Sequence, residues 1–141
     1  MRYYVLDPDV AGRLGSRTQM DSTVHPPVVK RLHYELEGWL GDDLVQSFPC
    51  YLVTKKLQAT LTAIHPTGLS FAVADVSASE TFKDLNQEVK FPALTWLKVD
   101  GAPGKDDFGL TTDARLVVSD HVLQQMQTTQ LSHCDVVEFT G

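Results

Sequence analysis

Hydrophobic and polar positions alternate with a period of two in several short segments of this chain, which predicts β-strands. Between residues 30 and 40, Leu32, Tyr34 and Leu36 occupy every second position, with charged or histidine side chains between them. Successive side chains of a strand point to opposite faces, so this spacing buries one face and exposes the other. Further strands are predicted at residues 2–6, 48–53, 69–76, 93–99, 114–118 and 134–139.

Two of these strands are followed by a polar residue and then by apolar residues at helical spacing, which predicts a strand, a helix cap and an amphipathic helix. The predicted caps and apolar positions are Thr54 with Leu57, Leu61 and Ile64, and Ser119 with Val122, Leu123 and Met126. A short additional helix, with Phe82, Leu85 and Val89 on one side, is predicted within residues 79–89.

The segment from Gly12 to Pro27 has no sustained period and contains several Gly, Ser and Pro residues, so we predict a surface loop there. Together these elements predict one α+β domain over residues 1–141. We expect a mostly antiparallel sheet of about six or seven strands with two or three helices packed on it. The order of the strands does not follow from the sequence.

Length and composition place the chain among folded globular proteins. It has 141 residues, of which 43% are hydrophobic and 21% charged, unlike disordered or fibrous chains. No apolar run approaches the roughly 18 residues of a membrane span. Asp7 and Pro8 interrupt the first segment before the apolar core of a signal peptide could form. We therefore expect a cytoplasmic protein with no membrane partner.

The residue types that carry catalysis or bind metals are not spaced for either role. Cys50 and Cys134 lie far apart in apolar segments, which favours buried free thiols. His133 precedes Cys134 directly, and neighbouring strand residues point to opposite faces, so we expect no metal site. No phosphate-binding glycine loop or Gly-x-Ser-x-Gly motif is present. We expect neither enzymatic activity nor a cofactor; the alternative is a small-molecule-binding or enzymatic domain with a pocket between sheet and helices.

Two pairs of acidic residues stand beside glycines, Asp42–Asp43 and Asp106–Asp107. Paired carboxylates can bind Mg²⁺ or transfer protons. Aspartate next to glycine is also typical of turns and helix caps. The sequence leaves both interpretations open.

Most of the negative charge lies in the last third of the chain. Residues 1–98 hold 11 acidic and 10 basic residues, whereas residues 99–141 hold 7 acidic and 2 basic ones, and the whole chain has a net charge of −6. Such a charge disfavours binding to nucleic acid and favours a basic protein partner.

Two groups of residues are candidates for contacting that partner. The first is an acidic loop with one aromatic residue, formed by Asp100, Asp106, Asp107, Phe108 and Asp113. A ring among carboxylates can anchor an interface, but the loop could equally be a solvated turn with Phe108 in the core. The second group is Trp39, Asp42 and Asp43, in which Trp39 belongs either to the core or to an interface.

Short motifs along much of the chain carry a resemblance to a bacterial family. They are Phe91–Leu97, Gly101–Gly104, Asp106–Gly109, Leu116–Ser119 and His133–Cys134, with Tyr3–Leu6, Gly38–Trp39 and Pro49–Cys50. In these segments the chain resembles immunity proteins of polymorphic toxin systems, and within them immunity protein family eleven, formerly a domain of unknown function.

The resemblance implies a protein that neutralises a cognate toxin by tight stoichiometric binding, without catalysis. It implies no catalytic residues, and it transfers no toxin-contacting positions to this chain. If the toxin attacks nucleic acid, it would present a basic cleft, which the acidic loop could fill in place of phosphates. The sequence does not indicate which toxin is bound, or an oligomeric state.

Overall fold

A computed structural model describes residues 2–85 and 93–140, which fold into short strands and helices. The strands are β1 (Tyr3–Asp7), β2 (Gly12–Leu14), β3 (Gln19–Asp21), β4 (Val28–Arg31), β5 (His33–Leu36), β6 (Leu44–Ser47), β7 (Cys50–Thr54), β8 (Leu69–Val73), β9 (Asp75–Ala78), β10 (Leu94–Val99), β11 (Phe108–Leu110), β12 (Leu116–Ser119) and β13 (Asp135–Glu138). The helices are α1 (Lys55–Ile64), α2 (Glu80–Leu85) and α3 (Asp120–Met126). The predicted α+β class with mostly antiparallel strands is confirmed.

The expectation of one sheet with six or seven strands is wrong. The described strands form four small sheets, with the orders β11-β12-β1-β13, β6-β7-β10-β8, β2-β5-β9 and β3-β4. The predicted strand at residues 69–76 shows why. It is interrupted at Ala74, so that β8 pairs with β10 in one sheet while β9 runs parallel to β5 in another. An apolar alternation does not reveal that its two halves have different partners.

The predicted loop from Gly12 to Pro27 contains two strands, which corrects that expectation. β2 pairs with β5, and β3 pairs with β4. All three residues of β3 are exposed, so backbone pairing forms this strand without an alternation of buried and exposed side chains. The sequence therefore carried no periodic signal for it.

Two hydrophobic clusters form the core, and β7 lies between them. All five residues of β7 are buried. Tyr51 and Val53 belong to a cluster that also contains the apolar faces of α1 and α3. Cys50 and Leu52, on the opposite face of the strand, belong to a second cluster around Tyr34. A strand buried on both faces connects the two parts of the core.

The helices begin where the sequence predicted. Thr54 caps α1 and its side chain accepts a hydrogen bond from the backbone of Leu57. Ser119 caps α3 and accepts one from Val122. The short helix predicted within residues 79–89 is present as α2, and Val89 lies outside the described residues. No helix in the described ranges is long and apolar enough to span a bilayer.

Candidate functional site

Asp43, in the first acidic pair, supports the cap of α1. Thr54 Oγ1 donates to Asp43 Oδ1 at 2.7 Å, and the Thr54 backbone N–H donates to the Asp43 carbonyl at 3.0 Å. The other carboxylate oxygen accepts the backbone N–H of Gln130 at 2.8 Å. Asp43 is buried, so its carboxylate forms hydrogen bonds with groups inside the molecule.

Asp107, in the second acidic pair, makes the same arrangement at the cap of α3. Ser119 Oγ donates to Asp107 Oδ1 at 2.9 Å, and the Ser119 backbone N–H donates to the Asp107 carbonyl at 2.9 Å. Asp107 Oδ2 accepts the backbone N–H of Thr67 at 3.0 Å. Of the two interpretations of the acidic pairs, this geometry supports the structural one, in which the aspartate orients the residue that caps a helix.

Asp42 is also a structural residue. Its side chain is fully buried and accepts the backbone N–H of His133 at 2.8 Å, while His133 Nδ1 lies 3.0 Å from the other oxygen. Trp39 is partly buried against the second core cluster and donates its indole N–H to the Asp42 carbonyl at 2.8 Å. The carboxylates of Asp42 and Asp43 are therefore bonded inside the molecule in this conformation, and this placement gives no support to the expectation that they form a contact surface.

The acidic loop is divided between interior and surface. Phe108 is completely buried in the first core cluster, opposite Val118, which supports the alternative in which its ring belongs to the core. Asp106 is half-buried and accepts the backbone N–H of Ala102 at 2.8 Å, which closes the loop. Asp100 and Asp113 are exposed. Of the aspartates predicted in this loop, these two are the ones that a partner can reach freely.

Asp113 lies at a concave surface on the outer face of the sheet β11-β12-β1-β13. Leu6 of β1 points into the core, so its neighbours in the strand point outward. Val5 pairs with Val137 of β13, and these two side chains form part of an apolar floor. The concavity has a volume of about 590 Å³.

Three carboxylates surround this floor, those of Asp7, Asp113 and Asp135, against the single guanidinium of Arg115; Glu138, at the strand edge, also lines the concavity. None of these four carboxylates makes an ion pair with a residue in the described part of the chain. We call this concavity the acidic face. Sequence reasoning located the excess of acid in the last third of the chain but missed Asp7, which only the pairing of β1 with β13 brings there.

One side of the acidic face is a strand edge with which no strand in residues 2–85 and 93–140 pairs. β13 is the last strand of its sheet, and all four of its residues are exposed. The backbone N–H of Phe139 donates to the carbonyl of Tyr3 at 2.8 Å. Because hydrogen-bonded pairs alternate along an antiparallel ladder, the backbone polar groups of Val136 and Glu138 point away from β1. They face the open edge.

The described residues offer no activated thiol and no metal cluster. Cys50 and Cys134 are free, and burial raises the pKa of each thiol to about 12, so both are neutral near pH 7. No group of three or more His, Cys, Asp or Glu side chains in residues 2–85 and 93–140 is arranged to hold a metal ion. Asp9 has one buried carboxylate oxygen with no partner in this part of the chain, and burial raises its pKa.

No protein-family model matches this sequence, and a comparison with curated proteins gives no match.

Proposed function

We propose that this protein is a cytoplasmic immunity protein that neutralises a basic toxin domain by forming a stoichiometric complex, without catalysis. The acidic face is the observation that carries the proposal. The family resemblance of the sequence motifs points in the same direction. The partner in this proposal is a cognate bacterial toxin domain, and the contact does not involve nucleic acid or a membrane.

The charge on the acidic face suits a basic partner. Three carboxylates border an apolar floor, Glu138 lies beside them at the strand edge, and one guanidinium opposes them. Complementary charge accelerates encounter by about 10- to 1000-fold over an uncharged surface. The floor around Val5 and Val137 would supply the desolvated contact that holds the complex once it has formed. In a nuclease, basic side chains that bind phosphate would find carboxylates here instead.

The open edge of β13 adds a means of orienting the partner. Backbone groups of Val136 and Glu138 point outward and can pair with an extended segment of another chain. Backbone pairing fixes register, while the neighbouring carboxylates select basic side chains on that segment. This contact surface retains Asp113 from the sequence prediction and omits Phe108, Asp42 and Asp43, which are buried.

The proposal is tested with the toxin domain that it requires. We expect the gene beside that of this chain to encode a large secreted protein with a variable carboxy-terminal domain. Co-expression of the chain should restore growth of cells producing that domain, and the purified mixture should elute as a 1:1 complex in size-exclusion chromatography with light scattering. Absence of such a gene, or of a complex with its product, would contradict the proposal.

Two exposed loop aspartates give a matched test of the surface. Asp113→Lys changes the acidic face, whereas Asp100→Lys makes the same charge change at an exposed residue outside its lining. We expect Asp113→Lys to slow association about tenfold at low salt, with less effect at high salt, because it acts through steering. Asp100→Lys should change the rate much less. Equal rates for the two variants would place the interface elsewhere.

A second pair of variants tests the strand edge. Val136→Pro removes an outward N–H and leaves the ladder to β1 intact, whereas Val136→Ala keeps that N–H. We expect Val136→Pro to weaken the complex about tenfold, the usual value of one hydrogen bond, at an unchanged midpoint of thermal unfolding. If both variants bind the toxin domain equally, the edge does not pair with it.

A further inference from the structure

A polar cleft on the β2-β5-β9 sheet is lined by basic side chains, although the chain as a whole is acidic. The cleft has a volume of about 600 Å³ and lies between the turn at Ser16 and Arg17, strand β5, strand β9 and helix α2. Its lining includes Arg13, Arg17 and Lys83. It belongs to a different sheet from the acidic face, and its chemistry is opposite.

His33 orients a hydroxyl at the base of this cleft. The side chain is only 4% exposed, and its Nδ1 accepts the backbone N–H of Arg17 at 3.2 Å. In the neutral ring the proton is therefore on Nε2, which donates to Ser77 Oγ at 2.8 Å. Because Ser77 Oγ already accepts from His33, its own O–H is available as a donor. This direction also means that His33 does not act as a base toward Ser77.

Two guanidiniums are held in place through their Nε atoms. Arg17 Nε donates to Asp75 Oδ2 at 2.7 Å, and Arg13 Nε donates to Glu35 Oε2 at 3.0 Å. Arg17 lowers the pKa of Asp75 through this hydrogen bond, so the carboxylate is ionised near neutral pH. Arg17 Nη2 lies 3.2 Å from His33 Nε2, which carries a proton in this tautomer and cannot accept. Donors on both guanidiniums thus remain available to a ligand.

Gly15 allows the turn to approach the His33 ring. A Cβ atom at this position would collide with the ring, so only glycine fits here without displacing it. The Gly15 backbone N–H also donates to the carbonyl of His33 at 2.7 Å. The turn that carries Arg17 is therefore fixed against β5 before any ligand arrives, which lowers the entropic cost of binding.

We propose that this cleft binds the phosphate group of a small organic phosphate. Guanidinium, hydroxyl and ammonium donors approach from different elements, and a phosphate offers several oxygens to donors on different sides. Glu35, the carboxylate in the lining, is already paired with Arg13. The cleft, with a volume of about 600 Å³, is larger than a phosphate ion and leaves room for an organic group. The site is independent of toxin binding, because its residues lie outside the acidic face.

The proposal is tested by titrating the protein with adenosine 5′-monophosphate and with inorganic phosphate at constant ionic strength, using sodium chloride as the reference. Amide resonances of Gly15, Ser16 and Arg17 should shift in a saturable manner, and the nucleotide should bind more tightly than inorganic phosphate. The proposal would be overturned if both phosphates shifted the amide resonances no more than sodium chloride does, or if the protein bound the two phosphates with equal affinity.

Matched variants separate the cleft from general electrostatics. Lys83→Gln and Ser77→Ala should each weaken nucleotide binding about tenfold, as expected for loss of a charge-assisted hydrogen bond. Lys105→Gln removes the same charge from an exposed residue outside the cleft lining and should leave affinity unchanged. Equal affinities for Lys83→Gln and Lys105→Gln would exclude the cleft. Lys83 is exposed, so its replacement should not prevent folding.

Discussion

Single aspartates hold distant parts of this chain together. Asp42 accepts two hydrogen bonds from His133, and Asp43 accepts one from the backbone of Gln130. Buried carboxylates are stable when several donors satisfy them. In these loops the acidic pairs bind the carboxy-terminal segment to the start of β6, a role that the adjacent glycines alone do not reveal.

Replacing Asp42 tests this role directly. Asp42→Asn keeps one carbonyl acceptor but places an NH₂ group toward a His133 donor, so one bond is lost in a buried site. We expect the free energy of unfolding to fall by about 1–3 kcal/mol, measured by urea denaturation. Asp113→Asn, at an exposed aspartate, is the control and should stay within about 0.5 kcal/mol of the parent. Equal urea midpoints for Asp42→Asn and Asp113→Asn would contradict the structural role of Asp42.

At the scale of elements, two units have the same construction. In each, an aspartate precedes a strand, an antiparallel strand follows, and the last residue of that strand caps a helix: Asp43 with Thr54, and Asp107 with Ser119. The hydroxyl in each unit donates to the aspartate and accepts from the helix backbone. In each unit one hydroxyl thus forms a hydrogen bond both to the aspartate carboxylate and to a backbone N–H of the helix.

The caps should matter more than other hydroxyls in the same helices. Thr54→Ala and Ser119→Ala each remove a cap, which costs about 1 kcal/mol, and also leave an aspartate oxygen with one donor fewer. Thr60→Ala is the control, since Thr60 is inside α1 and its hydroxyl donates to the Lys56 carbonyl. We expect lower urea midpoints for both cap variants and an unchanged or higher one for Thr60→Ala. A drop in all three would indicate a general effect of hydroxyl loss.

The sequence predicted the helices and their caps better than it predicted which strands pair with each other. The caps and helical spacings act within a few residues, so Thr54 and Ser119 were identified from the sequence. The partners of a strand lie elsewhere in the chain, so neither the interruption at Ala74 nor the pairing of β2 with β5 could be read from alternation. The same limit applies to the acidic face, whose Asp7 and Asp135 are 128 positions apart yet are register partners.

The whole molecule has several buried groups that resist losing a proton. Burial raises the pKa of Cys50 from 9.0 to about 12 and that of Tyr51 from 10.0 to about 12. It also raises the pKa of Tyr34. The native state therefore holds these protons at pH values where the unfolded chain releases them. Stability from this source is complete below about pH 9 and decreases as pH rises.

We expect the free energy of unfolding to fall between pH 9 and pH 12, by up to about 1.4 kcal/mol per pH unit for each such group. Urea denaturation at several pH values, followed by circular dichroism, measures this slope. Tyr51→Phe removes one titrating hydroxyl and its 2.8 Å bond to the Ala114 carbonyl. It should be less stable at pH 7 but show a shallower decline above pH 10. An unchanged slope would show that Tyr51 does not contribute.

The open edge of β13 has one further consequence, for encounters between copies of this chain. An unpaired strand edge is a template for self-association. If two copies paired edge to edge in antiparallel register about Glu138, whose backbone groups face the open edge, the Glu138 side chains of the two copies would lie opposite each other. Like charges in such positions repel. A carboxylate at this edge can thus attract a basic partner and also disfavour pairing of the edge with a second copy of this chain.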